Sequence, residues 1–307
     1  MEQMLTWAQR VLSEKVKRTF ERWMIAFALV GFFVHLFLIF LNSQGWLPYA
    51  GLMDAELLSQ PLAAVYTPFS VILVFEVYLL VYYLPKSFTT SIAKQYEIIA
   101  LIIIRGIFKD IEKIHLDLHW FQYQDNVQLS VDMVAFLLLF FLIAQFYIVL
   151  RNTPKVNPVG WAEGFVRLKY RLGLVLVVVL IGLAFYSLGK WFYEFYRFTQ
   201  GTIDHVISVN EVFYHDFFIV LILVDVFLLI VSFRHVENFS QLVRNSGFII
   251  STVFIRLSFL GEGMINTLLT VVGVVFGLVT LLIYRYMINR LQQAPHPSRE
   301  QKDPAAE

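Results

Sequence analysis

Two carboxylates stand where a carboxylate is most costly. Glu76 lies in the string "LVFEVYLLV" (73–81) and Asp225 in "LVDVFLLIV" (223–231), each the single charged residue of its string. Arg105 in "IIIRG" and Arg256 in "VFIRL" fall near the middle of the next apolar stretch in each case. An ionised side chain at the centre of a membrane helix costs about 2.5–3.5 kcal/mol on insertion scales, so four unpaired ones would cost on the order of 10 kcal/mol. Pairing relieves that cost, and chain order sets the partners: Glu76 with Arg105, Asp225 with Arg256, each pair across one hairpin. Such pairs do one of two things. They buckle two helices together, or they supply exchangeable carboxylates to an ion or proton route, since intramembrane ionisable groups commonly mark such routes.

The elements that must position these four residues follow from composition. Of 307 residues, 58% are hydrophobic and 15% charged, against about 25% charged in a soluble domain. Mean hydropathy is +0.67. The chain therefore reads as an all-α, polytopic integral membrane protein. At about 20 apolar residues per span, eight segments emerge: Trp23 to Leu41, Pro68 to Leu84, Ile98 to Ile111, Val131 to Leu150, Leu172 to Trp191, Phe217 to Phe233, Phe248 to Leu260 and Met264 to Ile288. The third and seventh are short, and each is expected either to extend through its flanks or to enter and turn back. Inside the first and fourth segments, His35 and Gln145 are expected to hydrogen-bond between helices.

Lys and Arg concentrate in cytoplasmic connections. Lys15, Lys17, Arg18 and Arg22 precede the first segment. Lys86 and Lys94, then Arg151, Lys155, Arg167, Lys169 and Arg171, then Arg234 and Arg244, then Arg285 and Arg290 follow on alternate connections. Both termini are thus expected in the cytoplasm, with a bacterial inner (plasma) membrane as the location. Residues 1–22 carry apolar positions at helical spacing among basic ones and read as an amphipathic interfacial helix. Residues 23–151 form a first four-helix unit, 152–170 a cytoplasmic connection, 171–290 a second four-helix unit, and 291–307 a Pro-rich polar tail expected to be disordered.

The two units align as a repeat. An offset of 149 carries Phe69 onto Phe218, Glu76 onto Asp225 and Arg22 onto Arg171, and a two-residue insertion then carries Arg105 onto Arg256. Four spans per unit give both the same orientation, and parallel repeats are related by an axis along the membrane normal. Expected, therefore, is a channel or secondary transporter for a proton or other small cation, with Glu76, Arg105, Asp225 and Arg256 as its ion pathway or buried pairs. The alternative is a non-transporting structural or assembly subunit of a larger membrane complex.

Other chemistry finds little support. Cysteine is absent, which removes disulfides, thiolate metal sites and catalytic thiols. A net charge of +1 offers no field for nucleic acid. HExxH, GxSxG, Walker A, GxGxxG and TVGYG patterns are missing, so no catalytic residues and no cofactor are expected. One minor metal possibility joins His115, Asp117 and His119 to His205, His215 and Asp216 on two outer connections. Expected partners are the lipid bilayer, the transported cation or proton, and copies of the chain or other membrane subunits.

Overall fold

A computed structural model describes residues 2–46, 61–111, 114, 119–154, 162–199, 209–235, 239–261 and 263–293. Among them, nine α-helices are the only elements besides short 3-10 turns: α1 Glu2–Val11, α2 Glu14–Ser43, α3 Tyr66–Tyr83, α4 Phe88–Asp110, α5 Gln124–Arg151, α6 Ala162–Thr199, α7 Val209–His235, α8 Phe239–Ser258 and α9 Met264–Gln293. Helices α2 to α9 fall on the eight apolar segments in order. Local chemistry sets several ends. Ser13 adopts extended backbone and its Oγ accepts the Val16 N–H, so α1 and α2 are separate helices and residues 14–22 continue into the first apolar segment. Ser87 caps α4 in the same way through the Thr90 N–H. Helix α2 ends at Ser43 and the chain turns at Gly45, whose φ of +71° favours glycine; the Trp46 N–H bonds the Leu41 carbonyl and the Gly45 N–H that of Asn42.

Five of these helices are long and apolar enough to cross a bilayer: α2, α5, α6, α7 and α9. Their large apolar side chains look outward. On α2, Phe27, Phe33, Phe37 and Phe40 are all exposed, and only Ala28 and Ile39 are buried. Helix α3 is as apolar but shorter. Helices α4 and α8 fall short of the hydropathy of a span because they carry Ser91, Lys94, Gln95 and Glu97, and Ser240, Arg244, Asn245, Ser251 and Thr252. Their place in the bundle explains this. Half of α8 is buried, including Ser251, Thr252, Arg256 and Ser258, and α4 buries Ser91, Gln95 and Tyr96. Both helices turn part of their polar surface toward other helices.

Two apolar clusters organise the interior. One joins Leu12 to α3, α6 and α7, with Ile98 and Ile102 of α4 at its edge. The other joins α4, α5, α8 and α9 through Tyr96, Leu139, Phe146, Phe248, Ile255 and Leu281. Helix α1 lies on this bundle as well as beside it: Ala8 and Leu12 are buried, and the Tyr78 hydroxyl donates to the Val11 carbonyl at 3.1 Å.

His35 does bond between helices, with Nδ1 at 2.6 Å from Thr67 Oγ1 of α3, whereas Gln145 is half-buried on α5. Replacing His35 by Leu is expected to cost about 0.6 kcal/mol and at most about 1.7, the range measured for such bonds within a membrane. A double-mutant cycle with Thr67→Val, read by unfolding in mixed micelles, checks it. A coupling above that range would mean His35 does more than join α2 to α3.

Candidate functional site

The α3–α4 and α7–α8 hairpins each place an acid on the first helix opposite an arginine on the second. In the second hairpin the contact is complete. Arg256 Nη1 donates to Asp225 Oδ2 and to the Leu221 carbonyl at 2.9 Å, while Nη2 donates to Gln95 Oε1 at 3.2 Å. The Thr252 hydroxyl reaches the same Asp225 oxygen at 3.1 Å and the Ile249 carbonyl at 2.9 Å. Arg256 is 2% exposed and Asp225 5%. Burying two charges is tolerable only when their remaining donors and lone pairs are also met. Here the Leu221 carbonyl, the Thr252 hydroxyl and Gln95 of α4 meet part of that need, and Gln95 itself donates to Ser91 Oγ at 3.2 Å.

In the first hairpin a glutamate and an arginine stand apart. Arg105 Nη1 and Glu76 Oε2 are 4.0 Å from each other, beyond hydrogen-bond reach. Glu76 is 4% exposed, and its Oε2 makes no hydrogen bond among the described residues. Sequence explains the difference. At the offset that carries Arg105 onto Arg256, Thr252 corresponds to Leu101 and Gln95 corresponds to Ser246. The first hairpin thus lacks the hydroxyl on its acid, and a shorter side chain takes the place of the amide that steadies Arg256. Elsewhere the hairpins match closely. Phe69 stacks on Phe108 with ring centroids 5.0 Å apart and planes at 17°, and Phe218 stacks on Phe259 at 5.0 Å and 18°.

The structure therefore brings together both expected acid and arginine pairs, one in full contact and one loosely. Gln95 and Thr252 were not among the expected site residues. Their signal was spacing: Thr252 lies one helical turn before Arg256, and Ser91 one turn before Gln95, so each pair shares a face. Beside Asp225 a cavity of about 20 Å³ is lined by Ser91, Gln95, Leu228, Ile249 and Lys169 among others. That volume holds one water with polar partners on two sides.

Of the residues considered for a metal, His115, Asp117 and His205 lie outside the described residues, as does the side chain of His215 on α7. His119 is exposed beside the 3-10 turn Trp120–Gln122, and Asp216 lies in the second turn of α7. Among the described residues no three His, Asp or Glu side chains converge on a point. Comparison with protein-family models, with curated proteins and with solved structures returns no match for this chain.

Proposed function

We propose that this chain is a channel or secondary transporter for a small cation, the proton first, with Glu76 and Asp225 as its exchangeable carboxylates. The observation that carries the reading is the inequality of the two hairpins. One acid is held by a guanidinium and a hydroxyl; the other is buried with a lone oxygen 4.0 Å from its arginine. A buried carboxylate oxygen with no donor is costly to keep for packing alone. It makes sense as one state of a device that trades partners: guanidinium bound in the closed state, proton or cation bound in the open one.

Two further observations support a repeat of four helices related by an axis along the membrane normal; in this reading α3, α4 and α8 also lie in the membrane, and the alternation of basic connections puts both termini in the cytoplasm. The matched phenylalanine stacks sit at equivalent positions of the two hairpins. Helices at equivalent places also meet each other, α4 against α8 and α5 against α9, as they do around a two-fold axis. Alternation of the halves between closed and open then resembles the rocking of repeats in transporters.

The test is flux in liposomes. Glu76→Gln is expected to lower pH-gradient-driven dye quenching at least tenfold relative to the parent. Undiminished flux in the variant, or parent liposomes no leakier than empty ones, overturns the proposal. The second reading, a non-transporting subunit, is favoured by the completeness of the Asp225–Arg256 contact, which serves a buckle as well as a gate. Under it the chain is stable only when purified with other subunits, and no flux appears.

A further inference from the structure

The cavity beside Asp225 is lined by residues of the α3–α4 turn as well as by the buried acid. Asp225, Leu228 and Ile249 line one end, and Ser91 and Gln95 give it a polar wall on α4. Lys86 and Phe88 of the α3–α4 turn line it too and are partly exposed, and Ser87 between them is exposed. Lys169 of α6 lines the cavity beside this turn at 4% exposure. Its Nζ donates to the Lys86 carbonyl at 2.5 Å and lies 5.0 Å from the Phe88 ring centroid and 5.3 Å from that of Phe165. No salt bridge holds it among the described residues. An ammonium kept by one carbonyl and two ring faces is lightly held, since strongly hydrated lysine regains full solvation by swinging outward.

Lys169 is also particular to its place. The offset that carries Arg22 onto Arg171 carries Phe20 onto Lys169. Phe20 is packed against Phe75 at 5.8 Å and Tyr78 at 5.1 Å between centroids. Where one half fills the position with an aromatic ring, the other has a cation over a cavity that Ser91, Gln95 and Asp225 line together with apolar side chains.

We propose that this cavity is a water-access route from the α3–α4 turn to Asp225, and that the Lys169 ammonium is its plug, leaving the Lys86 carbonyl to admit solvent. The inference deepens the transport reading, on which it rests for the meaning of Asp225. The absence of cysteine from the chain makes the test clean. Ser91→Cys puts a thiol on the polar wall, and Ser87→Cys marks the face from which the route opens. Both are treated, in the full chain in proteoliposomes, with a membrane-impermeant methanethiosulfonate from either face. Ser91→Cys is expected to react only from the face that labels Ser87→Cys, and slowly. Adding Lys169→Ala should raise its rate at least tenfold, while Lys169→Arg should leave it near the parent value. No reaction in either background, equal reaction from both faces, or a rate unmoved by Lys169→Ala overturns the plug. Carbodiimide modification of Asp225 itself, read by peptide mass with and without Lys169→Ala, makes the same comparison should the thiol variant fold poorly. Labelling is read without flux. A sealed cavity in a protein that conducts overturns the plug alone, and an opening cavity in one that does not conduct overturns the transport reading alone.

Discussion

Arg256→Leu is expected to destabilise the protein by about 3–5 kcal/mol, because it strands a buried carboxylate without its counter-ion. Asp225 would keep only the Thr252 hydroxyl, and Gln95 would lose the donor to its Oε1. Asp225→Leu alone should cost a similar amount, since the guanidinium would retain only the Leu221 carbonyl and Gln95. The double variant Asp225→Leu with Arg256→Leu is expected to recover most of the loss, because an apolar pair removes both desolvation penalties together. A double-mutant cycle in mixed micelles should therefore give a coupling of about 5 kcal/mol or more, since the two single losses of about 3 kcal/mol or more each nearly vanish in the double variant. The parallel cycle on Glu76 and Arg105 sets the contrast. That pair stands at 4.0 Å and the Arg105 side chain is 19% exposed, so its coupling should be about 1 kcal/mol, within the range for a partly solvated pair. Additive losses at Asp225 and Arg256, or equal coupling in both hairpins, would sink the account of one closed and one open contact. Where the parent conducts, flux through the double variant separates two roles for this pair, since a buckle can be replaced by leucines without loss of flux and an exchangeable carboxylate cannot.

The sequence made the helices legible through hydropathy, and for the same reason it blurred α4 and α8. Hydropathy reports which helices can face lipid; α2 and α5 show Phe33, Phe37, Phe140 and Phe141 to the outside and were unmistakable. Helices α4 and α8 are screened by their neighbours, so they could afford Gln95, Tyr96, Ser251 and Thr252 on buried faces and looked like short or re-entrant segments. The pairing of Asp225 with Arg256 was legible because a hairpin leaves few candidates at the same depth. Thr252, one turn before Arg256, carried a signal in its spacing, but the contact of Gln95 with Arg256 did not. Gln95 is 161 residues from Arg256, and nothing in local spacing says that α4 meets α8. The break at Ser13 was hidden for another reason: apolar positions keep helical spacing on both sides of it, and only the capping bond distinguishes two helices from one.

Gly277→Val is expected to be the most damaging single change away from the charges. Gly273 and Gly277 lie one turn apart on the face of α9 that meets α8, the small-residue spacing that lets membrane helices approach closely. A Cβ at Gly273 would stand 2.7 Å from Ile255 Cγ1 and 3.0 Å from the Ser251 carbonyl oxygen, and backbone cannot yield as a side chain does. A Cβ at Gly277 would overlap the Tyr96 hydroxyl and lie 2.8 Å from Ser251 Oγ. Those two hydroxyls share a hydrogen bond of 2.6 Å that ties α4 to α8, and Ser251 Oγ also donates to the Gly273 carbonyl at 2.6 Å. Valine must therefore push α9 outward and break that bond. Overpacking costs about 1–3 kcal/mol, and a buried hydroxyl left unmet costs about 1–3 kcal/mol more, so a loss of about 2–6 kcal/mol is expected. Gly277→Ala should cost less, and combining it with Tyr96→Phe should recover part of the loss, because the new methyl enters space that the hydroxyl vacates. Gly182 on α6 is the control: a Cβ there meets nothing within 4 Å, so Gly182→Ala should be neutral or slightly stabilising through helix propensity alone. Unfolding midpoints of the four variants against the parent decide the matter, and a Gly277→Val protein as stable as the parent would mean that α8 and α9 do not meet at this distance.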